Sequence, residues 1–144
     1  MVVPMCCVVG PFIEYQDYKH FLEEEGRFKR IPSSTVPALK NFGQGIGSLL
    51  INLILPGLTI SIYNMHTAWF TEANFVMKMV YIYFAMLAAR CLYYVAWKLT
   101  DSAITISGIS YDETTKNFEG IESVNIWNIE FGDSAKTMID SWNH

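Results

Sequence analysis

The chain has 144 residues, 51% of them hydrophobic and 15% aromatic, with a net charge of −4. An acidic balance gives nothing that favours a nucleic-acid partner, whose phosphates demand a basic face. Three cysteines (Cys6, Cys7 and Cys91), an odd number with no C-x-x-C spacing, argue against a disulfide framework and against a zinc site.

Met1 to Phe12 is apolar but lacks the basic start and small-residue cleavage site of a signal peptide. It reads as the tail of a further membrane helix, cut short by the start of the chain. Cys6 and Cys7 read as small buried hydrophobes or as palmitoylation sites. Gly10-Pro11 closes this stretch. Glu14 to Glu25 then has Tyr15, Tyr18, Phe21 and Leu22 at spacings of three and four, which predicts a short amphipathic helix stopped by Gly26. Such a helix either lies on a membrane surface or packs on protein. Arg27-Phe28-Lys29-Arg30 reads as a solvated or juxtamembrane basic patch. Ile31 to Lys40 is a connector in which Ser34 or Thr35 can cap a new helix and Pro37 suits its first turn.

Asn41 to Thr71 contains no Lys, Arg, Asp or Glu. A helix needs roughly 20 residues to cross a ~30 Å hydrocarbon core, and Phe42 to Tyr63 supplies them. Gly43 and Gly47 form a G-x-x-x-G, which predicts close helix packing there, and Pro56-Gly57 predicts a bend. Asn64 to Asn74 is a polar turn. Phe75 to Thr100 is a second span. Arg90, roughly 24 Å along it from Asn74, is expected to snorkel to the far interface, the alternative being a buried functional role. Five of the ten Lys and Arg precede the first span, so the positive-inside rule places residues 14–40 in the cytosol, the 64–74 turn outside and the chain after Trp97 back in the cytosol.

The last part is polar. Ser110 to Asn117 reads as a loop and Val124 to Phe131 as weakly strand-like. Asp133 is expected to cap a final helix running through Trp142. Asp101, Glu119, Glu122, Glu130 and Asp140 show no paired pattern and read mostly as a solvated face. The histidines His20, His66 and His144 are far apart, and there is no H-E-x-x-H or G-x-S-x-G.

Three stretches resemble one family. Gly10-Pro11 through Tyr15 to Tyr18 is similar to a G-P-x-x-x-Y-x-x-Y segment of membrane-bound O-acyltransferases, in their lysophospholipid acyltransferase branch. Arg90-Cys91-Leu92-Tyr93-Tyr94-Val95-Ala96-Trp97, continuing through Asp101 to Ser107-Gly108, resembles that branch's R-x-x-Y-Y-x-A-W-x-x-x-[DE] run. Phe118 to Ile121, Val124-Asn125-Ile126, Glu130-Phe131 and Asp140 to Asn143 follow its last motifs in order. Phe118-Glu119 stands where the family usually has Trp-Asp, so the resemblance assigns that pair no role, and Ile109-Ser110-Tyr111 replaces a more glycine-rich segment.

The resemblance implies an all-α integral membrane fold. The chain is then a single partial domain of a multi-helix bundle in the endoplasmic reticulum. Residues 1–40 form an interfacial segment, 41–100 two transmembrane helices (near 42–63 and 75–100), and 101–144 a cytosolic-side loop with the start of a further helix. The implied reaction is acyl transfer from acyl-CoA, a co-substrate rather than a cofactor, to a lysophospholipid hydroxyl. The family's catalytic His serves as general base and lies beyond the Asn, outside this chain. The sequence therefore resembles an internal fragment or short isoform, inactive alone. Asn143 is the one catalytic residue carried over, as a hydrogen-bond donor to the thioester oxygen or as an orienting group. Its plain alternative is a polar helix end. Trp142, Tyr93, Tyr94 and Trp97 are candidates to line the lipid or acyl cavity, the alternative being packing between helices. Expected partners are membrane lipids, lysophospholipid, acyl-CoA and the remaining helices of a parent protein, with no metal. A non-catalytic membrane interaction protein is the rival reading.

Overall fold

The computed structural model describes residues 13–142. Asn143, His144, Cys6, Cys7 and the apolar start lie outside the described residues. The fold is all-helical, and among the described residues the extended pairing is limited to two isolated bridges, Asp112 with Asn117 and Val124 with Trp142.

α1 spans Tyr15–Leu22. It ends before Gly26, because Glu24 already takes a left-handed conformation with φ 53°. Tyr18 and Phe21 turn inward, and Phe21 meets Phe28 edge-on at 5.4 Å. Tyr15 and Leu22, placed on the same apolar face by their spacing, stay exposed. α1 thus packs on protein, against a cluster of Phe28, Ile104 and Ile109. The basic cluster forms a 3-10 turn, Gly26–Arg30. Its Arg27 is not simply solvated, since it pairs with Asp17 at 2.9 Å.

α2 spans Thr35–Gly57 and, after a 3-10 turn at Ile62–His66 and the short α3 at Ala68–Glu72, α4 spans Phe75–Ser107. α2 starts seven residues before the expected Phe42 and stops six short of Tyr63, and α4 runs seven residues past Thr100; the added ends form because their polar residues are satisfied by the partner helix. Ser34 caps nothing with its side chain and instead donates to the Ile106 carbonyl at 3.2 Å. Pro56 does not bend α2; it sits in the final turn, and the helix stops one residue later. Both helices are long and apolar enough to cross a membrane, and only 11% and 22% of their most apolar windows are buried within the chain. A soluble core helix would be mostly buried, so these faces require lipid or other helices around them.

The two helices pack antiparallel along a seam of small and amide residues at heptad spacing, Ala38, Asn41, Gly45, Ser48 and Asn52. Asn52 donates to the Ala88 carbonyl at 2.7 Å, Ser102 to the Ala38 carbonyl at 2.9 Å, and Asn41 to the Thr105 hydroxyl at 3.3 Å. The predicted G-x-x-x-G is not this interface. A Cβ on Gly43 or Gly47 would meet nothing within 4 Å, whereas one on Gly45 would lie 3.2 Å from Leu99. The seam has a 3-4 rhythm starting at Ala38, and Gly43 and Gly47 fall off it.

α4, with 33 residues, is about 50 Å long, roughly 20 Å more than a hydrocarbon core needs. It ends at Gly108, where φ is +89° and the Ile31 side chain packs 3.1 Å from the place a Cβ would occupy. The following polar segment folds back along this excess length. It contains α5 at Ile126–Phe131 and α6 at Ala135–Asp140. The strand-like reading of Val124 to Phe131 fails because the Asn125 side chain caps a helical turn, accepting from the Asn128 amide, and Ile129 packs under it. The last helix is capped by Ser134, which accepts from the Thr137 amide; Asp133 accepts from the Thr137 hydroxyl instead, and the helix ends at Asp140.

Candidate functional site

Cys91, Tyr94, Lys98 and Asp101 recur at spacings of three and four on α4, and all four are buried. They form a partly polar stripe on an otherwise apolar helix, covered by residues 122–142. Arg90 borders the stripe. It does not snorkel: its guanidinium grips Glu130 with two bonds, Nε to Oε1 at 2.8 Å and Nη2 to Oε2 at 2.7 Å. The Tyr94 hydroxyl donates to the same Oε1 at 2.7 Å. The Glu130 side chain is 8% exposed, so both oxygens are committed and the carboxylate is an anchor rather than a free base. A bidentate, largely desolvated pair of this kind fixes geometry as well as charge.

A second polar contact lies about two turns further along. Asp101 accepts from both the amide (3.0 Å) and the hydroxyl (2.6 Å) of Ser123, and Lys98 lies between Asp101 at 3.5 Å and Glu122. Asp101 and Glu130 therefore do not belong to a solvated face. Beyond this anchor the tip of the loop, residues 113–116, is exposed. There Asp112 accepts from the Thr114 amide and the Thr115 hydroxyl, which hold its carboxyl below the usual carboxylate range.

The two anchors leave a wall of aromatic rings between them. Trp142 packs edge-on against Trp97 at 5.0 Å, and lies 6.0 Å from Tyr94 and 6.3 Å from Tyr93. The four aromatic residues singled out in the sequence thus come together, though unequally. Tyr94 is 1% exposed and Tyr93 is 56% exposed. Only Tyr93 and the partly buried Trp97 and Trp142 offer surface to a ligand; Tyr94 serves the Glu130 anchor. Trp142 is held by its bridge to Val124, and the Asn125 amide donates to the Ser141 carbonyl at 3.1 Å. The chain leading into Asn143 is fastened at this wall; Asn143 itself lies outside the described residues.

His20 sits in α1, beside the C-terminal end of α4, and His66 sits in the turn before the N-terminal end. They occupy opposite ends of the hairpin and cannot act together. Among the described residues, no three His, Cys, Asp or Glu side chains are placed to hold a metal ion. A cavity of about 610 Å³ lies at the turn end, lined by Leu58, Ile60, Trp69, Val80, Tyr81 and Phe84, away from the aromatic wall. Sequence reasoning missed Glu130, Lys98 and Ser123. Arg90 and Glu130 are 40 residues apart, and no local pattern pairs them; the available signals were a charge ending an eleven-residue apolar run and the place of both residues in the family's motifs.

A family model for the membrane-bound O-acyltransferases matches residues 1–144. Among curated proteins, the human membrane-bound glycerophospholipid O-acyltransferase 1 is 29% identical, with 96% of this chain and 32% of that protein aligned. The human membrane-bound glycerophospholipid O-acyltransferase 2 is 30% identical, over 96% of this chain and 30% of its own length. A lysophospholipid acyltransferase of Schizosaccharomyces pombe is 29% identical, over 94% and 29%. The chain spans about a third of the length of these relatives. No solved structure matches it.

Proposed function

We propose, on the premise that this chain belongs to the membrane-bound O-acyltransferase family, that it forms part of a lysophospholipid acyltransferase acting in phospholipid remodelling. The observation that carries this reading is the family match over the whole chain, together with relatives whose names specify glycerophospholipid or lysophospholipid acyl transfer. The parent is a multi-pass protein of the endoplasmic reticulum that moves an acyl group from acyl-CoA to the free hydroxyl of a lysophospholipid.

Asn143 is the hydrogen-bond donor of this site. It follows Trp142, which the aromatic wall and the Val124 bridge support. The amide donates to the thioester oxygen as negative charge develops there, or holds the two substrates in line. Tyr93, Trp97 and Trp142 form the apolar side against which a lipid chain lies. The general base is the family's His, in a segment outside these 144 residues. Without it the lysolipid hydroxyl keeps its proton, so the chain alone does not turn over.

Membranes expressing the chain are supplied with labelled acyl-CoA and lysophospholipids of several head groups. Product should not exceed an Asn143→Ala control. When the chain is extended by the segment bearing that His, turnover should appear and fall by about 10²–10³ on Asn143→Ala. Turnover by the chain alone would overturn the assignment of the base. An extended protein that is folded but silent with every lysolipid would overturn the substrate class.

A further inference from the structure

α5 has two unlike faces. Inward, Ile129 packs beside Cys91, Tyr94 and Val124, and Glu130 is clasped by Arg90. Outward, Trp127 and Phe131 stack at 5.3 Å and are 67% and 72% exposed. The next helix adds Met138 and Ile139, also exposed. A six-residue helix is too short to persist without packing; its inward face supplies that packing, and the aromatic pair turned outward is left uncovered.

The depth of α5 points to what covers the pair. The Arg90 pair fixes the helix at the level of Arg90, where the apolar run Met79 to Ala89 of the spanning helix ends. Leu92 and Tyr93 face outward at the same level, 59% and 56% exposed. The pair also removes the electrostatic objection to a lipid neighbour. The one charge on α5, Glu130, is neutralised from behind by a guanidinium, and the outward residues Trp127, Asn128 and Phe131 carry none. Aromatic rings with one polar edge favour the boundary between acyl chains and head groups.

We propose that α5 is a membrane-seated helix, with Trp127 and Phe131 embedded in the lipid interface beside the spanning hairpin. The segment after α4 is therefore not a free cytosolic loop throughout. It leaves the membrane with α4, folds back along it to Arg90, and rests its aromatic pair on the bilayer.

The test uses the full chain in phosphatidylcholine vesicles. The emission lost on Trp127→Phe, one of four tryptophans, is isolated by difference. That component should be quenched strongly by lipids brominated near the glycerol end, weakly by lipids brominated near the tail end, and hardly at all by iodide. An independent measurement is Ile139→Cys in a Cys6→Ser, Cys7→Ser, Cys91→Ala background, which leaves one thiol; that thiol should resist a membrane-impermeant maleimide until detergent is added. Strong iodide quenching with ready labelling would show that the face is in water. Quenching by neither lipid nor iodide would show that protein covers it. Either result overturns the proposal. Circular dichroism of Trp127→Phe and Ile139→Cys should match the parent chain, so that a misfolded variant is recognised.

Discussion

Removing the Glu130 carboxylate tests whether the Arg90 pair holds the C-terminal segment to α4. Glu130→Ala deletes two charge-assisted bonds and the acceptor of the Tyr94 hydroxyl. It leaves a guanidinium in a site lined by Cys91, Tyr94 and Ile129. Breaking a buried pair from one side costs ~3–5 kcal/mol. Arg90 keeps 27% of its side chain exposed and can recruit water, which places the cost near ~3 kcal/mol. At ~1.4 kcal/mol per tenfold, the open state of α5 rises on the order of a hundredfold. Hydrogen exchange of the Ile126–Phe131 amides in bicelles reads this directly, and trypsin cleavage after Lys136 reports the same opening. The double variant Arg90→Met with Glu130→Leu should restore protection, because a packed apolar pair of similar volume often matches a buried ion pair. Its shortfall should be about 1 kcal/mol for the Tyr94 hydroxyl left unpaired, and Tyr94→Phe in that background should remove it. If Glu130→Ala changed exchange by less than about 0.5 kcal/mol, the range of a surface pair, the anchor would be refuted.

The helix seam makes a sharper claim about glycine. Gly45→Leu should destabilise the α2–α4 hairpin by ~1–3 kcal/mol through overpacking against Leu99, whereas Gly43→Leu and Gly47→Leu should stay within ~0.5 kcal/mol; unfolding in mixed detergent ranks the three. Asp101→Ala removes both Ser123 bonds and leaves the buried Lys98 with Glu122 alone. A cost of ~3–5 kcal/mol should appear as faster trypsin cleavage after Lys116, and unchanged cleavage would contradict the second anchor. Asp112, whose folded pKa is depressed, contributes loop order that is present above its ordinary value of 3.8 and lost as pH falls through the lowered one. Amide exchange at Thr114 should rise there in the parent chain and show no such transition in Asp112→Asn.

The membrane character of the chain was legible in one dimension. Thirty-one residues without a formal charge have few other uses, and a span is recognised by length and composition because lipid solvates side chains without regard to sequence order. The aromatic residues of the Arg90 to Trp97 run were legible too, since helical spacing places Tyr93, Tyr94 and Trp97 within one turn. Composition could not tell which of them is free. Tyr94 is consumed by Glu130 and Tyr93 is not, and that depends on where a carboxylate 36 residues away comes to rest. The same holds for the seam: a G-x-x-x-G was visible, but register against α4 selected Gly45. Charges read as solvated became anchors for a related reason. Burying Arg90, Lys98 or Asp101 is unfavourable for each alone and acceptable only once a partner arrives from the returning segment. Spans depend on a sum over neighbours in sequence and can be read from it, whereas ion pairs depend on neighbours in space, so only the tertiary structure could decide that the tail folds back to Arg90.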